Sequence, residues 1–440
     1  MESLMAATIF ALFFLLRTLD ARYSPQDIVS TTITVDHRGK GHFLRVQQAI
    51  DSVPPNNVVW TRILISPGVY FEKVVIPREK PYIILEGNPR HLTTIEFGDA
   101  GSSATSSTFE LSADNFVARN IVFKVKLFEV SLFNLPLNSQ QNVYDHLIEP
   151  IASKRTTWAP AALIQSDKAS FYQCSFVSLQ DTLTDFKGRH YFYNCFIEGA
   201  MDFIWGNGQS IYEKCQIHTL SDKIGGGCYI TAQGRDSPND TTGFVFKDCN
   251  VFGTGPILLG RAYRQFARVF ASTNMENNIN PEGWLAWHYS GSENLITFSE
   301  VGCTGRGADM RHRVKWEKQL PPEEVAFLTN TASFIDQDGW LGRLLCLIHT
   351  FVKQYLSGDV GRIFAEPRKF LEQYLSGDVG RIFAEPRKFL EQYLSGDVGR
   401  IFAEPRKFLE QYLSGDVGRI FAEPRKFLGV FISCNFILFN

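Results

Sequence analysis

Asp181 and Asp202 stand in "QDTLTD" and "AMDFIWG", 21 residues apart, each among apolar and aromatic neighbours. Carboxylates usually avoid such surroundings, because taking a charge out of water costs free energy. One aspartate alone reads as a turn cap. Two at matching positions of a repeated interval read as chemistry, since carboxylates held close together cannot both ionise easily and one pKa rises. A protonated acid beside an ionised carboxylate suits acid–base and nucleophilic work. Arg261, in "LGRAYR", offers a guanidinium at a glycine-flanked strand end, with Tyr263 beside it. Near the pair it would keep one carboxylate ionised and oriented through charge-assisted hydrogen bonds.

That chemistry requires elements that stack residues one interval apart. Cys174, Cys195 and Cys215, in "FYQCSF", "FYNCFI" and "YEKCQI", recur at 21 and 20 residues, the same beat as the aspartates. Recurrence on such a period marks a structural repeat. Small buried residues stacked in a core account for these cysteines better than disulfides do. From Thr31 to about Leu341 short apolar segments such as "TRILISPGVY", "KVVIP", "YIILEG", "TIEF" and "FVARNIVF" are separated by Gly, Pro, Asn and Asp. Only "FLRVQQAIDSVP", Phe43 to Pro54, reads as an amphipathic helix, ended by Pro54 and Pro55. Many short strands mean an all-β sandwich, barrel or solenoid, and the 20–21-residue period favours a solenoid of parallel coils. Residues one coil apart then lie on neighbouring strands about 4.8 Å apart, and Asp181 and Asp202 are expected to face one groove.

The 440 residues are 44% hydrophobic and 13% aromatic, a globular composition, and 44 basic against 46 acidic residues leave no basic surface for nucleic acid. Eight cysteines without a CxxC pair suit neither a disulfide scaffold nor zinc. No GxSxG, HExxH or Walker motif occurs, and "GGGC" at Gly225–Cys228 reads as a turn. The apolar run Leu4–Leu16 is too short to span a bilayer comfortably and reads as the core of a secretory signal peptide within residues 1–21, despite Glu2. The mature chain is therefore expected to be secreted without a membrane span, with Asn239, in Asn239-Asp-Thr, as a glycosylation candidate. Two segments break the strand rhythm. Residues 125–154 form an atypical, insertion-like stretch. Residues 354–428 carry "QYLSGDVGRIFAEPRKFLE" in tandem on a 19-residue period, nearly letter for letter, and no chemistry is assigned to them.

The blocks "GVYFEKV" (Gly68–Val74), "LQDTLTD", "GRHYFYNCFIEGAMDFIWGNG", "LGRAYR" and "NPEGWLAW" (Asn280–Trp287) together resemble plant pectin methylesterases, or pectinesterases, over about Thr31–Leu341. The resemblance implies a right-handed parallel β-helix of the short type, without an inhibitor-like pro-region. It implies removal of methyl esters from cell-wall homogalacturonan, releasing methanol, with no metal and no organic cofactor. Asp202 matches the family nucleophile, Asp181 the general acid and then base, Gln180 an oxyanion donor, and Arg261 the arginine that holds the nucleophile. Tyr263 stands where the family has tryptophan, and Trp205 where it has phenylalanine, both as candidate sugar platforms. Trp158, in "WAPAALIQSDK", stands where the family carries a second oxyanion glutamine; Gln165 does not replace it on this alignment. Losing such a donor lowers the rate roughly 10²–10³-fold, which leaves Trp158 as a substrate contact.

The implied partners are methyl-esterified homogalacturonan and, as a family possibility, a proteinaceous inhibitor, with the chain acting as a monomer in the cell wall. Two alternatives stay open. Trp158 admits a catalytically impaired wall-polysaccharide-binding protein, and the two carboxylates admit a glycoside hydrolase on the same scaffold.

Overall fold

The structure, a computed structural model, describes residues 29–98, 102, 105–125, 159–224 and 227–343. The leader at 1–21, nearly all of the 125–154 segment, Trp158 and the repeats at 354–428 lie outside the described residues.

Among the described residues every strand pairing is parallel. The chain winds as a right-handed parallel β-helix with three faces. Two faces join through the long strand Gly243–Thr254, whose first half pairs Gln209–Glu213 and whose second half pairs Gln216–Leu220. The third face is a separate eight-stranded sheet that runs from Val74–Ile76 to Trp284–Leu285. "TRILISPGVY" forms two strands, Trp60–Ile65 and Gly68–Phe71, and "FVARNIVF" also forms two, Phe116–Arg119 and Val122–Val125.

The period in the sequence is the period of the core. Phe171, Phe192, Tyr212 and Phe246 stack with centroids 5.0, 4.6 and 4.7 Å apart and nearly parallel planes. Aromatic pairs of this kind contribute about 0.5–1.5 kcal/mol beyond area burial. Cys174, Cys195 and Cys215 are buried free thiols, and Cys249 extends the column onto a fourth coil. Burial pushes the Cys174 thiol up to about 12 and raises those of Cys215 and Cys249 as well, so these three are packing elements and not nucleophiles. The residue before each cysteine turns the corner between faces. Gln173, Asn194, Lys214 and Asp248 all have φ between +51° and +56°, a region that asparagine and aspartate tolerate better than most.

The helix runs from Val46 to Ser52, shorter than the Phe43–Pro54 expected, because Arg45 is extended at φ −123° and ψ 146°. Its first turn is capped from a distance: the Glu72 carboxylate accepts the Val46 and Gln47 backbone N–H groups at 2.8 and 3.0 Å. The buried Val46, Ala49 and Ile50 pack into the core at the first coils.

Two buried ionic groups make stability depend on pH. His190 Nδ1 lies 2.5 Å from Asp185 Oδ1, and Nε2 lies 2.7 Å from the Ser166 carbonyl oxygen. Both neighbours accept, so the doubly protonated ring fits best. Burial alone pulls the His190 pKa down, but Asp185 outweighs it and the net direction is up. That stabilisation is full below the ordinary histidine value and is lost as pH rises through the raised folded value. At the far end of the solenoid, Glu300 accepts from Arg313 Nε at 2.7 Å and from Trp284 Nε1 at 3.2 Å. The Glu300 backbone N–H donates to Glu317 Oε1 at 2.9 Å. Burial, with the Glu300 charge beside it, pushes the Glu317 carboxyl up to about 7.

The folded state therefore holds the Glu317 proton more tightly than the unfolded chain does, and loses stability as pH rises from the ordinary glutamate value to about 7. Glu317→Gln keeps an acceptor for the Glu300 amide and removes the charge. Its unfolding temperature is expected to exceed that of wild type at pH 8 and to match it near pH 4. An equal difference at both pH values would contradict this reading.

Candidate active site

The third face carries both aspartates. Leu183 and Thr184 pair with Ile204 and Trp205, Gln180 forms a bridge to Met201, and the Asp181 backbone N–H donates to the Met201 carbonyl at 3.1 Å. This register sets Asp181 directly opposite Asp202 on the next coil. Both residues adopt left-handed backbone, φ +55° at Asp181 and +47° at Asp202. Aspartate tolerates this conformation better than most residues. Both are nearly buried, 8% and 6% exposed, as is Gln180 at 8%.

A β-bulge produces the Asp202 conformation. Met201 pairs with Tyr229 and Ile204 with Thr231, so three steps of one strand oppose two of the next. The bulge re-aims side chains locally: Phe203 is fully buried while its neighbour Asp202 keeps some exposure. Gly199 makes room, since a Cβ there would lie 2.2 Å from Phe203 Cβ.

Arg261 reaches Asp202 from two strands away, in Leu258–Ala262. Its Nε donates to Asp202 Oδ1 at 2.9 Å, and its Nη2 donates to Oδ2. Such a bidentate pair fixes the carboxylate plane. Burial is the largest influence on Asp202 and pushes its pKa above the ordinary value, against the pull of Arg261. Desolvation, rather than the repulsion between paired carboxylates expected from their spacing, is the largest cause of this shift.

Aromatic rings line the site. Phe186, Trp205, Tyr263 and Trp287 follow one another with centroids 6.4, 5.7 and 6.4 Å apart. Tyr263 is 37% exposed, a usable platform. Two aromatic residues that the motif reading did not assign to the site hold Arg261: Trp287, with its ring centroid 3.9 Å from Cζ, and Tyr229, at 4.6 Å. Trp287 has φ +53°, strained for a bulky side chain. Its place in "NPEGWLAW" was the available signal; nothing local pointed to Tyr229. Asn239 is exposed in a turn where its backbone N–H donates to Ser237 Oγ. Among the described residues no group of three or more His, Cys, Asp or Glu side chains could hold a metal ion, and no helix is long and apolar enough to cross a membrane.

A parallel β-helix that sets an arginine-held carboxylate opposite a second one on the next coil is an arrangement suited to nucleophilic and acid–base chemistry. Comparison with known proteins narrows that chemistry. The pectinesterase family model matches residues 32–127 and 142–338. The Arabidopsis thaliana protein named "Probable pectinesterase 29" is 43% identical over 320 residues, covering 72% of this chain and 90% of that protein. Pectinesterase QRT1 of the same plant is 36% identical over 317 residues, covering 71% of this chain and 79% of that protein. The solved pectin methylesterase from carrot superposes with a TM-score of 0.61 at 28% identity, covering 71% of this chain and 95% of that one. The chain belongs to the pectinesterase family and is a carboxylic ester hydrolase.

Proposed function

We propose that this protein removes methyl esters from homogalacturonan in the plant cell wall, releasing methanol and pectate, with Asp202 as nucleophile. The observation that carries this reading is the in-register Asp181–Asp202 pair with Arg261 gripping one member. The Asp202 carboxylate attacks the ester carbonyl, and the Gln180 amide donates to the developing oxyanion. Asp181 gives its proton to the departing methoxide, which leaves as methanol. Asp181, now a carboxylate, takes a proton from water as that water attacks the acyl-enzyme. The hydroxyl of that water adds to the galacturonyl carbon, the bond from that carbon to Asp202 breaks, Asp202 is regenerated as a carboxylate, and the galacturonic acid released loses its proton to solvent. No step draws on a metal or an organic cofactor.

Trp205 and Tyr263 act as platforms for the sugar rings, and Trp158 contacts substrate where a second oxyanion donor would otherwise stand. The polymer is the partner, with a proteinaceous inhibitor as a second; the chain acts as a secreted monomer and carries glycan on Asn239. Tested on highly methylated polygalacturonan, the purified protein is expected to release methanol and create no new reducing ends. Reducing ends without methanol would indicate a glycoside hydrolase. Polymer binding with neither product would leave a wall-binding protein.

A further inference from the structure

Arg261 spans an intervening strand, Tyr229–Gln233, to reach Asp202. A long, flexible side chain loses rotamer freedom when held over that distance, so something must hold it. Tyr229 is the first residue of the intervening strand, paired with Met201 on one side and Leu258 on the other. That places it beside the bulge that aims Asp202 and beside the strand that carries Arg261. Its ring centroid lies 4.6 Å from the Arg261 Cζ, and the Trp287 ring lies 3.9 Å from the same atom. Aromatic faces attract a guanidinium, most strongly where water is excluded, and the Arg261 side chain is only 17% exposed.

We infer that Tyr229 is a positioning residue for ester hydrolysis: its ring, together with that of Trp287, holds the Arg261 guanidinium in the plane of the Asp202 carboxylate. The inference rests on the reading of Asp202 as nucleophile. The charged and titratable groups around Asp202 are Arg261 from the second strand on, Asp181 from the preceding coil and the Cys228 thiol from the following one, where Tyr229 in turn contacts Arg261. Arg261 is the cation among them that favours the ionised form, against the burial that disfavours it. Loosening its grip makes Asp202 harder to ionise, and the acid limb of kcat/KM moves to higher pH.

The contact uses the ring face, so phenylalanine should replace tyrosine and an aliphatic residue should not. Methanol release is measured against pH for wild type, Tyr229→Phe and Tyr229→Leu, with Tyr229→Val, suited to a strand, in place of the leucine variant if that one does not fold. The aliphatic variant is expected to lose about ten-fold in kcat, to change KM less than about two-fold, and to shift its acid limb up by about half to one pH unit. Tyr229→Phe is expected to match wild type in all three.

A kcat loss with an unmoved limb, a change in KM alone, or equal damage in Tyr229→Phe would overturn the role of Tyr229. Asp202→Asn is assayed alongside. Activity remaining there would remove the nucleophile reading itself. An inactive Asp202→Asn beside an unmoved limb in the aliphatic variant would remove only the positioning role.

Discussion

Asp202→Asn is expected to abolish methanol release, lowering turnover by roughly 10⁴-fold or more, while the protein still binds methylated polygalacturonan. The amide keeps the shape of the carboxylate and lacks the charge that attacks the carbonyl. The substitution also breaks the match with Arg261, which now donates to Asp202 through both Nε and Nη2. A modest loss of stability should accompany the loss of activity, because a guanidinium left nearly buried without its anion is costly. Binding and unfolding temperature measured together separate the two effects. In wild type the same residue, as the proposed nucleophile, is expected to set the acid side of the pH profile. Burial pushes the Asp202 pKa up, so activity should fall on acidification above the pH at which an ordinary aspartate protonates, about 3.9.

Asp181→Asn should be the second most damaging change, cutting turnover by about 10²–10⁴-fold, the usual range for a general acid–base group. In the proposed mechanism Asp181 serves both half-reactions, as acid when methanol leaves and as base when water attacks. Both rates should fall, so the variant should show no burst of methanol before a slower steady state. A burst followed by slow turnover would mean that another group protonates methanol and that Asp181 acts only on water. Asp181 sits opposite Asp202 with the same left-handed backbone. An asparagine tolerates that conformation as well as aspartate does, and the fold should survive the change.

The coil was legible because each turn of a solenoid must present the same inward positions to the turns above and below. The cysteines on intervals of 20 and 21 residues record that demand, and the column of Phe171, Phe192, Tyr212 and Phe246 meets it. Counting on the same interval placed Asp181 against Asp202, since no loop between them changes length. The method stops where the coils change size. From the Met201–Gly206 strand to the next, the offset becomes 27 or 28 residues, and from there to Leu258–Ala262 it becomes 29. Arg261, Tyr229 and Trp287 meet across those unequal loops, and no periodicity could have brought them together. The bulge at Asp202 was equally hidden, because a single extra residue in one strand leaves no mark on composition or spacing. Glu317 was silent for another reason: its perturbation comes from burial beside Glu300, a contact between a strand end and a distant irregular segment.

The proposed mechanism requires Asp202 to bond covalently to the substrate. Rapid acid quenching of the protein during turnover of a methylated oligogalacturonide, followed by peptide mass spectrometry, examines that bond itself. A galacturonyl adduct is expected on the peptide that carries Asp202, appearing with the first methanol released and absent in Asp202→Asn. Methanol released at full rate with that peptide unmodified at every quench time, and a variant Asp202→Asn that still turns over, would contradict it.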